Sequence, residues 1–285
     1  MPRDCSPNRK DKEAIPYIFR QADPDKTLFY AWFEAMHTRI DLVFCHLTEK
    51  DSLCLRDEVY TEIKRLEYMA NRFHPESELA MINRLASDYP LSISEELWDI
   101  IEECIEYHQK TFGAFDITIQ SSGNFREGIE HILLDRAKRT IFLQNGHIQL
   151  DLSGYIKGYA LDRVKELLTA SACRDALISM GNSSVLAMGN HPMGHGWKVS
   201  TQYNGVLTEA NKEVTLYDEF LTTSGNETEE RKHLIDPATG QYITGARVAS
   251  VITKSGSLGE VLSKTLLISP KIKEKLLNNF SFSYL

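Results

Sequence analysis

Two segments of the chain carry side chains whose types and spacing suit anion binding or proton transfer. The first is 151–158 (DLSGYIKG), where Gly154 and Gly158 permit close backbone approach and Lys157 adds a positive charge. A helix beginning here directs free backbone N–H groups outward, which suits a phosphate. The alternative is an ordinary junction between a strand and a helix, where glycines are also common.

The second segment consists of two stretches close together in sequence, Thr222–Gly225 (TTSG) and 231–240 (RKHLIDPATG). The hydroxyl and backbone N–H groups of the first part suit an oxyanion. His233 is a candidate general base, because an imidazole titrates near neutral pH. The alternative is a strand followed by routine Asp-Pro and Thr-Gly turns.

Two further segments are shorter and more ambiguous. Residues 113–116 (GAFD) follow a predicted helix, so their glycine can also be read as the stop of that helix. Residues 73–83 (FHPESELAMIN) predict a capped turn that leads into a short helix.

The helices that must position these segments follow from apolar spacing and capping residues. Ser94 is a predicted N-cap, and the stripe behind it ends at His108, which we expect to be a packed histidine at the edge of the core. Helices are predicted over 57–71, from Ser94 to His108, over 157–170 and over 258–267.

The strands are shorter and more numerous. Asn145-Gly146 is a strong hairpin signal and predicts that 139–143 pairs with 147–152. Residues 29–47 are predicted to be a strand approached through a short helical turn. Further strands are predicted at 175–179, 184–188, 197–201, 213–216 and 249–253. Strand pairs interspersed with helices indicate an α+β fold with mixed or antiparallel sheets and flanking helices.

Composition and charge exclude several classes of function. The chain has 285 residues with 32 Lys and Arg against 40 Asp and Glu, a net charge of −8, which argues against a nucleic-acid partner. No apolar run approaches the roughly 18 to 20 residues of a transmembrane segment. Residues 1–26 are expected to be a loosely held arm, and 27–285 one domain.

The N-terminal residues and the cysteines indicate the cellular location to expect. The charged residues near the start match no secretory signal, so the expected location is cytoplasmic; an exported protein is the alternative if further residues precede them. The five cysteines match no zinc spacing, and free thiols are expected.

Taken in order, the segments resemble the ApbE-type flavin transferase family (FAD:protein FMN transferases) over about 36–267. The matching elements are Met36-His-Thr38 for Met-Gly-Thr, 76–83 for Ser-Glu-Leu-Ser-x-Ile-Asn, 113–116 for Gly-Ala-Phe-Asp-Pro-Thr, 151–162 for Asp-Leu-Gly-Gly-Ile-Ala-Lys-Gly-Tyr-Ala-x-Asp, 180–182 for Gly-Gly-Asp, 223–225 for Thr-Ser-Gly and 233–240 for His-x-Ile-Asp-Pro-x-Thr-Gly. Each element is weak alone, but the ordered set is specific.

The resemblance implies a T-fold-related α+β core and an enzyme that moves FMN from FAD to a threonine hydroxyl of a target protein, releasing AMP, with Mg²⁺ on the pyrophosphate. It assigns His233 as the base and Glu260 to the catalytic metal site. It assigns to FAD binding Met36, Phe73, Ala114, Phe115, Asp116, Asp151, Lys157, His233 and Leu234. A non-catalytic or metal-independent FAD-binding protein and an FAD pyrophosphatase are the alternatives.

The implied metal site departs from the family pattern. Gly154 supplies the expected backbone carbonyl, but Glu260 stands for the family's aspartate and Lys264 for its threonine. An ammonium cannot ligate a metal. Two accounts are possible. In the one we prefer, Lys264 takes the place of the metal as a fixed positive charge. In the other, the helix register shifts by one residue so that Thr265 supplies the oxygen ligand. A surface ion pair between Glu260 and Lys264 is the plainest alternative.

Overall fold

The computed structural model describes residues 15–23, 26–121, 128–200, 213–226, 234–245 and 247–285. Six α-helices are described: α1 Glu49–Met69, α2 Glu78–Leu85, α3 Glu95–Lys110, α4 Ile156–Ala170, α5 Gly256–Ile268 and α6 Lys273–Asn279. The described strands are β1 Tyr17–Asp23, β2 Lys26–Ala35, β3 Thr38–Cys45, β4 Leu91–Ser92, β5 Ile132–Asp135, β6 Thr140–Leu143, β7 Ala176–Met180, β8 Ser184–Met188, β9 Trp197–Ser200, β10 Glu213–Leu216, β11 Glu219–Asn226, β12 Ile235–Asp236, β13 Gln241–Tyr242, β14 Arg247–Thr253 and β15 Ser283–Tyr284.

One eight-stranded sheet organises the molecule. Its strand order is β1-β2-β3-β7-β8-β11-β14-β15, and each neighbouring pair is antiparallel. Helices α1, α4 and α5 pack together on it, with α5 against β11 and β14. This arrangement confirms the predicted α+β class with antiparallel sheets and flanking helices.

The helix predictions are confirmed, with a large change of boundary only at the start of α1. Ser94 caps α3 by accepting a hydrogen bond from the backbone N–H of Leu97, and Ser77 caps α2 in the same way through Ala80. Helix α1 begins earlier than predicted, at Glu49, because Thr48 caps it there. No helix in the described part of the chain is long and apolar enough to cross a membrane.

The prediction of one strand over 29–47 was wrong, because two strands lie there. Strands β2 and β3 form a hairpin in which Ala35 pairs with Thr38. Met36 and His37 make its two-residue turn with φ of 51° and 57°. This is the left-handed geometry that usually favours glycine or asparagine, so the sequence carries no signal for it.

The predicted pairing of 139–143 with 147–152 was also wrong. Strand β6 pairs with β5, which precedes it, while residues 148–152 are irregular. The side chain of Asn83 takes the role of a partner strand there: Oδ1 accepts from the N–H of Leu150 at 2.7 Å, and Nδ2 donates to its carbonyl at 2.9 Å.

The expected N-terminal arm is partly ordered sheet. Residues 17–23 of the arm form edge strand β1 against β2, where Phe19 packs on the core and Tyr17 stacks on Phe29 with ring centroids 5.4 Å apart. Residues 1–14, 24 and 25 lie outside the described residues.

Candidate active site

A cleft with two adjoining compartments runs beside the start of α4 and one face of α5. The first compartment holds about 240 Å³ and the second about 190 Å³. Asp151, Ser153 and Lys157 line both compartments and therefore mark their junction. The segments singled out in the sequence thus come together on one concave surface.

The wall built by α5 is fixed at the start of that helix. The carboxylate of Asp162, on α4, accepts hydrogen bonds from the backbone N–H groups of Gly256 at 2.7 Å and Ser257 at 2.8 Å. It also accepts one from the hydroxyl of Ser255 at 3.1 Å. These three bonds tie the two helices together and set the direction of α5.

One face of α5 lines the first compartment with Glu260, Lys264 and Ile268, which are spaced four residues apart. The ammonium group of Lys264 donates to Oε2 of Glu260, and the two side chains are 17% and 2% exposed. Glu260 is therefore buried and Lys264 is half-buried in the wall of the cleft, so the surface ion pair considered above does not describe them. Thr265 is fully buried on another face, and its Oγ1 has no hydrogen-bond partner among the described residues. The alternative in which Thr265 reaches the cleft is therefore wrong.

The charge states of this pair depend on each other. Burial raises the pKa of Glu260, but the attraction of Lys264 and Lys157 and two hydrogen bonds outweigh it, and the pKa lies below its usual value. For Lys264, burial is the largest effect and lowers the pKa, while the Glu260 carboxylate opposes that shift.

A chain of hydrogen bonds connects this pair to Lys157. The ammonium group of Lys157 donates to the hydroxyl of Ser183 at 2.8 Å. Ser183 and Ser184 share a longer bond of 3.3 Å, and Ser184 donates to Oε1 of Glu260 at 2.6 Å. Both carboxylate oxygens of Glu260 are thus engaged, and two ammonium groups line the first compartment, that of Lys157 at its junction with the second.

The loop 113–116 follows α3 through two residues with positive φ, Phe112 at 57° and Gly113 at 80°. Asp116 points inward, and its Oδ1 accepts from the N–H and the hydroxyl of Thr118 at 2.7 Å and 2.6 Å. Burial raises the pKa of Asp116 despite these bonds. His108 donates from Nδ1 to the carbonyl of Phe115 at 2.8 Å, which confirms a packed histidine.

The junction and the second compartment combine charge with an exposed ring. Asp151 accepts from the N–H of Ser153 at 2.8 Å, and its other oxygen lies 3.6 Å from Nε of Arg72. The guanidinium of Arg72 lies 4.6 Å from the ring centroid of Phe73, which is 76% exposed. A planar ligand therefore has an aromatic surface available there. Met36 lines the same compartment.

Strand β11, which packs against α5, also lines the first compartment. Thr223 shares a hydrogen bond of 2.8 Å with Ser250, and Ser224 shares one of 2.8 Å with Ser263. Leu234 also lines this compartment, whereas His233 lies outside the described residues. The predicted base therefore has no described geometry.

Every described residue of the predicted site lines the cleft. Met36 and Phe73 line the second compartment, Asp151 and Lys157 line both, and the first contains Ala114, Phe115, Asp116, Gly154, Leu234, Glu260 and Lys264. The sequence analysis missed Ser183 and Arg72, which orient Lys157 and Asp151. Ser183 directly follows the motif at 180–182, and Arg72 directly precedes Phe73, so these motifs were the sequence signal that could have pointed to both residues.

The residues present do not fit a divalent metal at the position that the resemblance implies. A cation there needs the carbonyl of Gly154, but the methylene groups of Lys264 lie against that glycine: Cε would be 3.4 Å from an added Cβ. Glu260 is the one carboxylate of the implied set, and both its oxygens are already engaged. Among the described residues, no cluster of three His, Cys, Asp or Glu could hold a metal ion.

Comparisons with known proteins show the family of this chain. The chain matches the model of the ApbE family over residues 36–281. FAD:protein FMN transferases of Chlamydia pneumoniae and of Chlamydia trachomatis serovar D are 23% and 25% identical to it over 223 and 315 aligned residues. These alignments cover 68% and 96% of this chain, and 68% and 89% of the two relatives.

Solved structures give the same fold. The ApbE protein from Thermotoga maritima matches with a TM-score of 0.75 and 19% identity, covering 88% of this chain and 90% of that one. The apo form of the flavinyl transferase ApbE from Pseudomonas stutzeri matches with a TM-score of 0.78 and 20% identity, covering 91% of each chain. Identities this low show the fold alone.

Proposed function

The chain belongs to the ApbE family, and we propose that it transfers FMN from FAD to a threonine hydroxyl of a protein acceptor and releases AMP. One observation carries the proposal: residues of five family segments far apart in sequence, 36–38, 113–116, 151–162, 223–225 and 233–240, line one two-compartment cleft together with the ammonium groups of Lys157 and Lys264. The relatives named above carry the matching name, FAD:protein FMN transferase.

The reaction is a phosphoryl-type transfer. The threonine oxygen attacks the phosphorus atom on the riboflavin side of the pyrophosphate, and the bond between that phosphorus and the bridging oxygen breaks. AMP leaves with the bridging oxygen and its electron pair, and FMN becomes a phosphoester of the acceptor. The hydroxyl proton passes to a base, for which His233 is our candidate. Charge neutralisation and alignment supply most of the catalysis in such a step.

The cleft residues divide into roles by their chemistry. Met36 and Phe73 offer apolar and aromatic surface to one ring system of FAD. Lys157 and the N-terminus of α4 lie at the first compartment, and their charge and free N–H groups suit the pyrophosphate. Glu260, which the resemblance places in a metal site, here holds Lys264 and is a positioning residue.

The remaining site residues complete the binding surface. Ala114, Phe115 and Leu234 line the first compartment, Asp116 shapes its loop, and Asp151 fixes the junction between the compartments. Thr223, Ser224 and Gly225 line the same compartment, and the hydroxyls of the first two are held by Ser250 and Ser263.

The test incubates the purified chain with FAD and threonine-containing candidate acceptor domains, then separates nucleotides and proteins. Covalent flavin on an acceptor threonine, located by peptide mass mapping, with one AMP released per flavin attached, supports transfer. AMP with free FMN and no labelled acceptor supports an FAD pyrophosphatase, and bound but intact FAD supports a non-catalytic flavin-binding protein. A His233→Ala variant that retains full transfer would remove His233 from the base role.

A further inference from the structure

Lys264 lies beside Gly154 and Glu260, the two residues of the implied metal site. Its chain covers Gly154, since Cε and Cδ would lie 3.4 Å and 3.5 Å from a Cβ placed on that glycine. Its ammonium group pairs with Glu260 at the wall of the first compartment. The position next to Gly154 and Glu260 is thus filled by a covalently attached positive charge.

The ammonium group retains hydrogen-bonding capacity. An ammonium has three donors. The described residues give Nζ two acceptors, both on Glu260: the carboxylate Oε2 and, at 3.4 Å, the backbone carbonyl. The second of these bonds is long and weak. A donor therefore remains for a ligand oxygen in the cleft.

The local charge balance favours an anion. Lys264 and Lys157 bring two positive charges, and both act on Glu260, the acidic residue between them. Within this cluster of three groups the ammonium groups outnumber the carboxylate by one. Asp116 and Asp151 also line the compartment, and the Asp151 carboxylate lies 3.6 Å from Nε of Arg72, outside the cluster. The diphosphate of FAD carries two negative charges, and low exposure makes the attraction stronger than at an open surface.

We propose that the Lys264 ammonium replaces the divalent metal in this chain and binds the pyrophosphate of FAD directly. This inference rests on the proposed function, because it requires FAD in the cleft. It predicts that FAD binding needs no Mg²⁺. The Glu260 carboxylate keeps the ammonium group in place and shields part of its charge.

The first experiment titrates the full chain with FAD in excess EDTA and, separately, in excess MgCl₂, following flavin fluorescence. We expect the same dissociation constant in both. An affinity about tenfold lower or worse in EDTA would overturn the inference while leaving the proposed function standing. Absence of FAD binding under both conditions would overturn the proposed function and the inference with it.

The second experiment removes the charge without leaving a buried carboxylate unpaired, as Lys264→Met alone would do. The double variant Glu260→Gln/Lys264→Met keeps the volumes and neutralises both groups. We expect FAD to bind at least about tenfold more weakly in EDTA, with no recovery in Mg²⁺, and riboflavin, which has no phosphate, to bind as before. Lys271→Thr, an exposed lysine on the segment after α5, is the control. Unchanged FAD affinity in the folded double variant would overturn the inference.

The third experiment restores the family pair with Glu260→Asp/Lys264→Thr. Removing the ammonium group opens the position beside Gly154 and supplies two oxygen ligands one helical turn apart. We expect FAD binding to this variant to become dependent on Mg²⁺, being weak in EDTA and recovering in MgCl₂. FAD affinity that is equal in the two conditions would show that Lys264 does not stand in for a metal.

Discussion

A Cβ atom placed on Gly158 would lie 2.1 Å from the carbonyl oxygen of Gly256, because α4 and α5 cross with their backbones in contact. The same Cβ would lie 2.7 Å from Cγ of Glu260. A single glycine therefore sets both the crossing of the two helices and the space in which Glu260 turns toward Lys264.

We expect Gly158→Ala to destabilise the protein, because its methyl group meets a backbone oxygen that cannot rotate away. Overpacking of this kind costs about 1–3 kcal/mol in the free energy of unfolding, and more where the backbone must move. Urea denaturation measures the loss. Gly194→Ala is the control, since nothing lies within 4 Å of a Cβ there. Equal stability of the two variants would mean that the helices do not cross this closely.

The sequence predicted most elements of this fold because the signals were local. The Ser94 cap, the apolar stripes of the helices and the strand at 184–188 depend on neighbouring residues and were located well. The hairpin of β2 and β3 was missed because Met36 and His37 adopt positive φ without glycine or asparagine. The packing of the hairpin supplies that conformation, and no short-range pattern encodes it.

The sequence predicted which residues line the site but not the hydrogen bonds that connect them. The ordered motifs identified the residues that line the cleft, including the unusual Lys264. They did not show that Ser183 and Ser184 link Lys157 to Glu260, or that Asp162 fixes the start of α5. These contacts join residues far apart in the chain, so only the folded structure brings them together.

The cysteines should differ sharply in reactivity. Burial raises the pKa of Cys45 to about 12, whereas Cys54 is exposed. At pH 8 only about one Cys45 in ten thousand is a thiolate, and its sulfur is also shielded. We expect iodoacetamide to alkylate Cys54 in the native protein and Cys45 only after unfolding in urea, as peptide mass mapping would report. Equal native rates at the two sites would contradict the packing of β3.

Asp116 should make the protein less stable as the pH rises. Burial raises its folded-state pKa above the unfolded value of 3.8. The contribution of Asp116 to the free energy of unfolding is therefore fully present below its pKa in the unfolded state. It is lost as the pH increases through its pKa in the folded state. Asp116→Asn does not titrate and keeps an oxygen for Thr118. We expect the variant to gain stability relative to the parent across this window, measured by urea unfolding at a series of pH values.

The matched control for Asp116→Asn is Asp135→Asn, for which we expect the opposite pH dependence of the difference in stability from the parent. The N–H of Lys138 donates to the Asp135 carboxylate at 3.1 Å, and that bond, together with the nearby lysine charge, lowers the pKa of Asp135. Its contribution is present above the unfolded pKa and disappears as the pH falls through the folded pKa. The free energy of unfolding of the parent should therefore increase relative to that of the Asp135→Asn variant as the pH rises. Parallel pH profiles for the two variants would contradict the burial of Asp116.

Phe73 should contribute to FAD affinity while contributing little to folding. It is 76% exposed, lines the second compartment and lies under the guanidinium of Arg72. Alanine substitution of an aromatic residue that stacks on a base costs about 1–3 kcal/mol in binding, which is about 5- to 150-fold in the dissociation constant. We expect this loss for Phe73→Ala, with a free energy of unfolding within about 0.5 kcal/mol of the parent.

The control for Phe73 is Tyr89→Ala, which removes an aromatic side chain that is 48% exposed and does not line either compartment. Separate titrations with riboflavin and with AMP distinguish which ring of FAD uses the Phe73 surface, because only the ligand that stacks there loses affinity. If Phe73→Ala and Tyr89→Ala both bind FAD as the parent does, the second compartment does not receive a ring of the cofactor. The pyrophosphate held by Lys157 and Lys264 would then have to direct FAD along the first compartment alone.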